Sequence, residues 1–304
     1  GNASGSAWPD NTGGGMYNSY SSPNLDNCTF ENNFARYDGG GMYSKYSSPT
    51  LTGCTFTDNS AAYYYGGGMY NYGSNPTLDN CTFTGNSATG QYGYGGGMFN
   101  YGSSNPSLDN CTFTDNSAEY YGGGMYNYGS SSPSLDNCTF TDNSANVGGG
   151  MFNQGSSPSL DNCTFESNSA ASYGGGMYNY YGSSPSLDNC TFTGNSATGQ
   201  YGYGGGMFNY GSSNPSLDNC TFTDNSATYG GGMFNQGSSP SLDNCTISNN
   251  NATVGGGGMY NHSSSTPILQ NSFVCGNIVH TDGGATDGNQ IYGSINNDGT
   301  NCIL

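Results

Sequence analysis

Residues 95–118 read GGGMFNYGSSNPSLDNCTFTDNSA, and this stretch decides the fold because the chain consists of little else. Met recurs at positions 16, 42, 69, 98, 125, 151, 177, 207, 233 and 259, each after a glycine run, at spacings of 26 to 30 residues. Cys28, Cys54, Cys81, Cys111, Cys138, Cys163, Cys190, Cys220 and Cys245 keep the same beat, each followed by Thr and then Phe or Ile. The segment from Cys81 to Ala118 recurs unchanged from Cys190 to Ala227. A period of this length, sustained along the chain, is the signature of a solenoid.

The unit is rich in Gly, Pro, Asn, Ser and Thr, which oppose helix. Three short runs alternate like strands: Met-Tyr-Asn-Tyr, Pro-Ser-Leu and Cys-Thr-Phe-Thr. Gly, Pro, Asp and Asn separate them as corners. The pattern predicts an all-β parallel β-helix of about ten coils, 25–30 residues each, with three short strands per coil stacked at about 4.8 Å. Residues 1–12 read as an N-terminal segment, 13–276 as the repeats and 277–304 as a C-terminal coil or cap. Without the repeat, 53 Gly and a net charge of −18 would read as disorder. A solenoid can fold with this composition because its core is a narrow column that Met, Cys and small residues can fill. With 2 basic against 20 acidic side chains the chain cannot neutralise a phosphate backbone, which excludes nucleic acid as a partner. No apolar stretch reaches transmembrane length.

Strand parity assigns the faces. Cys and Phe of Cys-Thr-Phe-Thr point inward. Met and Asn of Met-Tyr-Asn-Tyr also point inward, which leaves an outward aromatic ladder at Tyr17, Tyr43, Tyr70, Phe99, Tyr126, Phe152, Tyr178, Phe208, Phe234 and Tyr260. Tyr72, Tyr101, Tyr128, Tyr180 and Tyr210 stand two positions on along the same face, and loop tyrosines before each glycine run add to it. Asn33, Asn59, Asn86, Asn116, Asn143, Asn168, Asn195, Asn225 and Asn250 fall at a corner, where stacked amides would bond one another and the turn backbone.

The paired GGGM and FxxN motifs resemble the GGA-(I/L/V) and FxxN repeats of the chlamydial polymorphic membrane protein family. They are also similar to bacterial right-handed β-helix surface proteins with N-C-T-F repeats. The resemblance runs from about Gly13 to Gly276. It implies that the β-helix is right-handed and that the chain is secreted or displayed at a cell surface.

Chemistry-bearing residues follow the repeat rather than departing from it. Asp26, Asp79, Asp109, Asp136, Asp161, Asp188, Asp218 and Asp243 recur after Leu, so they read as scaffold. An active site should be a local exception, and no carboxylate is paired with Arg36, Lys45, His262 or His280 in sequence. The expected role is therefore non-enzymatic. No cofactor is expected beyond a weak Ca²⁺ association with the Asp column at Asp79, Asp109, Asp136 and Asp161, where stacked carboxylates repel. Ladder thiols about 4.8 Å apart are buried but within disulfide reach. Cys275 and Cys302, 27 residues apart and outside the ladder, are expected to stack and form a disulfide in the last coil. The expected function is that of an extracellular structural protein that associates with copies of itself, head-to-tail or laterally, into surface or matrix fibres. The alternatives are ice binding through the outward Thr-x-Thr face and a glycan-binding adhesin module.

Overall fold

The computed structural model describes residues 1–5, 10–281, 284–287, 290–298 and 300–304. Each coil visits four parallel sheets, not three. The Met sheet runs from Met16–Ser19 through Met259–His262 to Ile291–Tyr292. The Leu sheet starts at Asn24–Asp26 and the Phe sheet at Thr29–Glu31. The fourth sheet is built from the Ser-Ala pair after each corner Asn, as in Ser87–Ala88 and Ser117–Ala118. The expectation of three strands missed it because two residues are too few to show alternation. Asn2–Ala3 pairs with Phe34–Ala35, so residues 1–12 contribute a strand to this sheet.

In the Met, Leu and Phe sheets register is kept residue for residue from coil to coil: Met98 faces Met125, Leu108 faces Leu135 and Phe113 faces Phe140. The Phe rings from Phe30 to Phe222 stack face to face with centroids 4.6–4.8 Å apart and planes within 6°. Met, Leu and Cys form parallel buried columns beside them. All eleven cysteines are free. Each core thiol instead lies against carbonyls, as Cys111 does at 3.3 Å from Asp109 O and 3.8 Å from Leu78 O. Burial pushes the Cys54 thiol above its ordinary range. The Cys275–Cys302 disulfide is corrected by the register, which sets Cys302 against Phe273 rather than Cys275. The last coil is longer than the 27-residue separation implies.

Three polar columns hold the corners. Asn116 donates from its backbone N and its Nδ2 to Asn143 Oδ1, and from Nδ2 to Phe83 O of the preceding coil. The same pattern runs from Asn59 to Asn277, where Gln290 Oε1 takes over as acceptor. A second ladder runs through the Asn of the Met sheet, Nδ2 to Oδ1 at 2.8–2.9 Å from Asn71 to Asn261. A third column passes backbone N–H groups to serine hydroxyls, as Ser104 N to Ser131 Oγ at 3.1 Å. Glycine is required where coils approach closely: a Cβ on Gly96 would lie 2.4 Å from both Gly123 O and Ser117 O. The Asn before eight of the nine ladder cysteines takes a φ of 49–52° at its corner, a region Asn tolerates, and Gly53 takes the same place before Cys54.

The C-terminal end departs from parallel stacking. In the Ser-Ala sheet Ile278–Thr281 is followed by Gly284–Asp287, which pairs with it antiparallel. The Met, Leu and Phe sheets end on the parallel strands Ile291–Tyr292, Asn296–Asn297 and Cys302–Ile303. Among the described residues no helix is long and apolar enough to cross a membrane.

Ser44 interrupts the second Asn ladder and leaves Ser44 Oγ, Asn71 Oδ1 and Asn18 Nδ2 buried without partners. Ser44→Asn restores the amide that the coils from Asn71 to Asn261 carry. It should stabilise the fold by about 1–3 kcal/mol, read as a higher midpoint in urea unfolding. A lowered midpoint would show that this coil cannot hold the ladder geometry.

Candidate functional site

Outward positions of the Met sheet carry two aromatic rows, and the loop before each glycine run supplies a third. The first row is the expected ladder, and its rings from Tyr17 to Tyr292 follow one another at centroid distances of 4.3–5.3 Å. Its outward parity stands, but its exposure does not. Tyr43, Tyr70, Phe99, Tyr126, Phe152, Tyr178, Phe208 and Phe234 retain only 2–6% exposure, and Tyr17 and Tyr260 are partly covered. The cover is the third row: Tyr65, Tyr94, Tyr121, Val147, Tyr173, Tyr203 and Tyr229. These residues bridge to one another as a further line of parallel β-contacts, which at Val147 and Tyr173 is continuous with the Ser-Ala sheet. They lean across the first row, bringing Tyr65 to 4.8 Å from Phe99, Tyr121 to 5.0 Å from Phe152 and Tyr203 to 4.7 Å from Phe234. Burial pushes the Tyr70, Tyr126 and Tyr178 phenols well above the usual range, which keeps them protonated.

The second row, two positions along, reads Lys45, Tyr72, Tyr101, Tyr128, Gln154, Tyr180, Tyr210, Gln236 and His262 in register. It is more open, and Tyr128 is 38% exposed. Between the second and third rows lies a groove of about 640 Å³, lined by aromatic side chains together with Val147 and Gln154. No lining residue is charged. The groove owes its width to one coil, Ser144–Gln154, in which Val147 replaces the third-row Tyr and Gln154 the second-row Tyr. Gln154 Oε1 accepts a 2.6 Å hydrogen bond from Tyr126 Oη, which draws that amide against the floor. Both departures stand out when the repeats are aligned on one another, but the even beat of Met and Cys masks them.

Other expected sites are placed as follows. Asp79, Asp109, Asp136 and Asp161 stand in one register column, one coil apart. Their neighbours are corner amides, as Asn80 Nδ2 to Asp79 Oδ1 at 2.8 Å and Asn189 Nδ2 to Asp161 Oδ1 at 3.2 Å. Among the described residues no three His, Cys, Asp or Glu side chains converge on a point that could hold a metal ion. The Thr pairs flank the inward Phe on the outer side of the Phe sheet, half-buried, with Glu31 and Glu166 in their columns.

Asp38 lies in a loop of variable length, where its burial leaves no mark in the sequence. It occupies the position before the glycine run that Tyr65 and Tyr94 occupy in later coils, accepting from Tyr65 N at 3.3 Å. Burial raises its carboxyl to about 7, against the opposing pull of that N–H.

The family described as "Right handed beta helix region" matches residues 6–156, 73–207 and 151–304. No curated protein matches the sequence significantly. Among solved structures, a mannuronic acid specific polysaccharide family 6 lyase from human gut microbiota aligns over 88% of this chain and 78% of its own, at 8% identity and a TM-score of 0.30. QnrB1, a plasmid-mediated fluoroquinolone resistance protein, aligns over 85% and 83%, at 13% identity and a TM-score of 0.21. The family match corrects the expectation that the chain is not an enzyme: a right-handed β-helix is an architecture that does not decide function, so an even repeat is no ground for excluding catalysis. Likeness at this level transfers no residue and no reaction.

An acid whose pKa is higher folded than unfolded stabilises the fold at low pH, and that contribution is lost as pH rises through the folded value. The difference in stability between the parent and Asp38→Asn should therefore grow in favour of the variant as pH rises from about 4 to about 7. Melting temperatures of the two proteins across that range check it; parallel curves would show the carboxyl to be solvated.

Proposed function

The chain belongs to the right-handed β-helix family, and on that premise we propose that it is an extracellular glycan-binding solenoid whose working surface is the aromatic groove. The observation that carries this reading is a trough without a charged side chain that runs along stacked coils, with tyrosine faces on both walls. Aromatic faces with phenol hydroxyls at their edges suit sugar rings, which are apolar on their faces and ringed by hydroxyls. A trough parallel to the solenoid axis suits a linear polymer. The kinship with chlamydial polymorphic membrane proteins expected from the GGGM and FxxN motifs is part of this proposal and sets it at a cell surface.

The geometry favours this reading over a head-to-tail filament. Continuing the solenoid into a second copy needs parallel edges on all four sheets, and the antiparallel strand Gly284–Asp287 turns one of them. Lateral association through the outer tyrosines remains compatible with a glycan site on the same face.

The double substitution Val147→Tyr/Gln154→Tyr gives this coil the side chains its neighbours already carry, so it should fill the groove without loss of stability. Retention on insoluble polysaccharides (cellulose, chitin and chitosan) is expected for the parent and lost in the filled variant, with an unchanged or raised melting temperature. Parent protein that passes through all three unretarded would end the glycan reading.

A further inference from the structure

Resting on the glycan reading, we propose that the groove selects polymers of amino sugars with protonated amines and turns away uronate polymers. The first ground is charge. The chain carries 20 acidic and 2 basic side chains, and none of the basic ones lines the groove. An anionic polymer would enter a strongly negative field with no cation to receive it. A polymer bearing ammonium groups is drawn in, because low-dielectric walls focus that field.

The second ground is what the chain does with its own cations. Lys45 Nζ lies 5.8 Å from the ring centroids of both Tyr46 and Tyr72, which belong to successive coils. Arg36 Cζ lies 5.5 Å from Tyr37 and 5.6 Å from Tyr63, again one coil apart. Both basic side chains are thus held over pairs of tyrosine rings, the geometry of cation–π attraction.

The third ground is where those pairs stand. Lys45 stands in the second row after Ser19, and Tyr72, Tyr101 and Tyr128 follow it in register into the groove at ring separations of 5.4 and 5.3 Å. Arg36 stands over Tyr63, whose carbonyl accepts from the backbone N of Tyr92, and Tyr92 lines the opposite wall. The second-row wall therefore has an internal cation seated between rings, followed by Tyr101 and Tyr128 at the same kind of ring spacing with no internal cation, and Arg36 repeats that seating between Tyr37 and Tyr63. The tyrosines beyond Lys45 present to a ligand the surface that this residue already occupies from within. A protonated 2-amino group on each sugar offers one such cation per ring, whereas an N-acetyl group offers none and a carboxylate the wrong sign.

Calorimetric titration of the intact chain with three soluble oligomers of equal length tests the inference: fully deacetylated glucosamine, N-acetylglucosamine and a uronate. The deacetylated oligomer should bind about tenfold more tightly than the acetylated one, and the uronate should not bind. Val147→Tyr/Gln154→Tyr should abolish binding of both amino-sugar oligomers. Equal affinity for the deacetylated and acetylated oligomers would overturn the amine selectivity and leave the glycan reading standing. Full binding of the deacetylated oligomer by the filled variant would place cation capture on the outer Asp columns and overturn the inference. Binding of none of the three would overturn both this inference and the reading beneath it.

Discussion

A buried asparagine is tolerable only when its oxygen and both amide hydrogens find partners. In this chain the partners of Asn86 are Asn116 Oδ1 and Phe56 O, one coil to either side. That condition forces the next coil to place an asparagine at the same point and in the same register. A slip of one residue would leave unpaired amides in the core at every coil, each costing about 1–3 kcal/mol. The two Asn ladders and the Ser column therefore fix how coils stack, and the apolar columns supply the driving force along a register already set. Flat Phe stacking and the Gly96-type close approaches are available only because the coils repeat so closely.

Much of this was legible because inward positions obey strand parity and a fixed beat. Met98, Phe113 and Cys111 could each be assigned to the interior from alternation alone, and each is fully buried, as is Asn116, which the sequence places only at a corner. What stayed hidden depended on loops of variable length. The Ser-Ala strand is too short to alternate. The tyrosines before the glycine run have no fixed offset from the preceding Cys in the sequence, and only the fold shows Tyr65, Tyr94 and Tyr121 lining up to roof the first aromatic row. The same variability defeated the Cys275–Cys302 pairing, since a spacing that equals the mean period does not fix register in a coil of a different length. The groove was hidden for another reason: it is made by two residues that are small or unringed where others are aromatic, and a search for chemical groups does not register a missing ring.

Inner and outer positions of such a solenoid tolerate change unequally, and the contrast between Ser44 and Val147 shows why. Ser44 departs from the repeat on the inside and leaves three buried polar atoms without partners. Val147 and Gln154 depart on the outside; Val147 stays in the aromatic cluster, and Gln154 gains a hydrogen bond from Tyr126. An inward substitution propagates to both neighbouring coils through the ladder, whereas an outward one changes only the local relief of the surface. Function in this architecture can therefore be written in the outer rows and loops without renegotiating the core. A groove, a cation seat or a catalytic group would all be expected there, as departures from the repeat in a single coil. By that criterion the coil Ser144–Gln154 is a place where this chain has broken its own rule at little cost to its stability, whereas the coil that carries Arg36, Asp38 and Lys45 also bears the inward Ser44 and a carboxyl raised by burial.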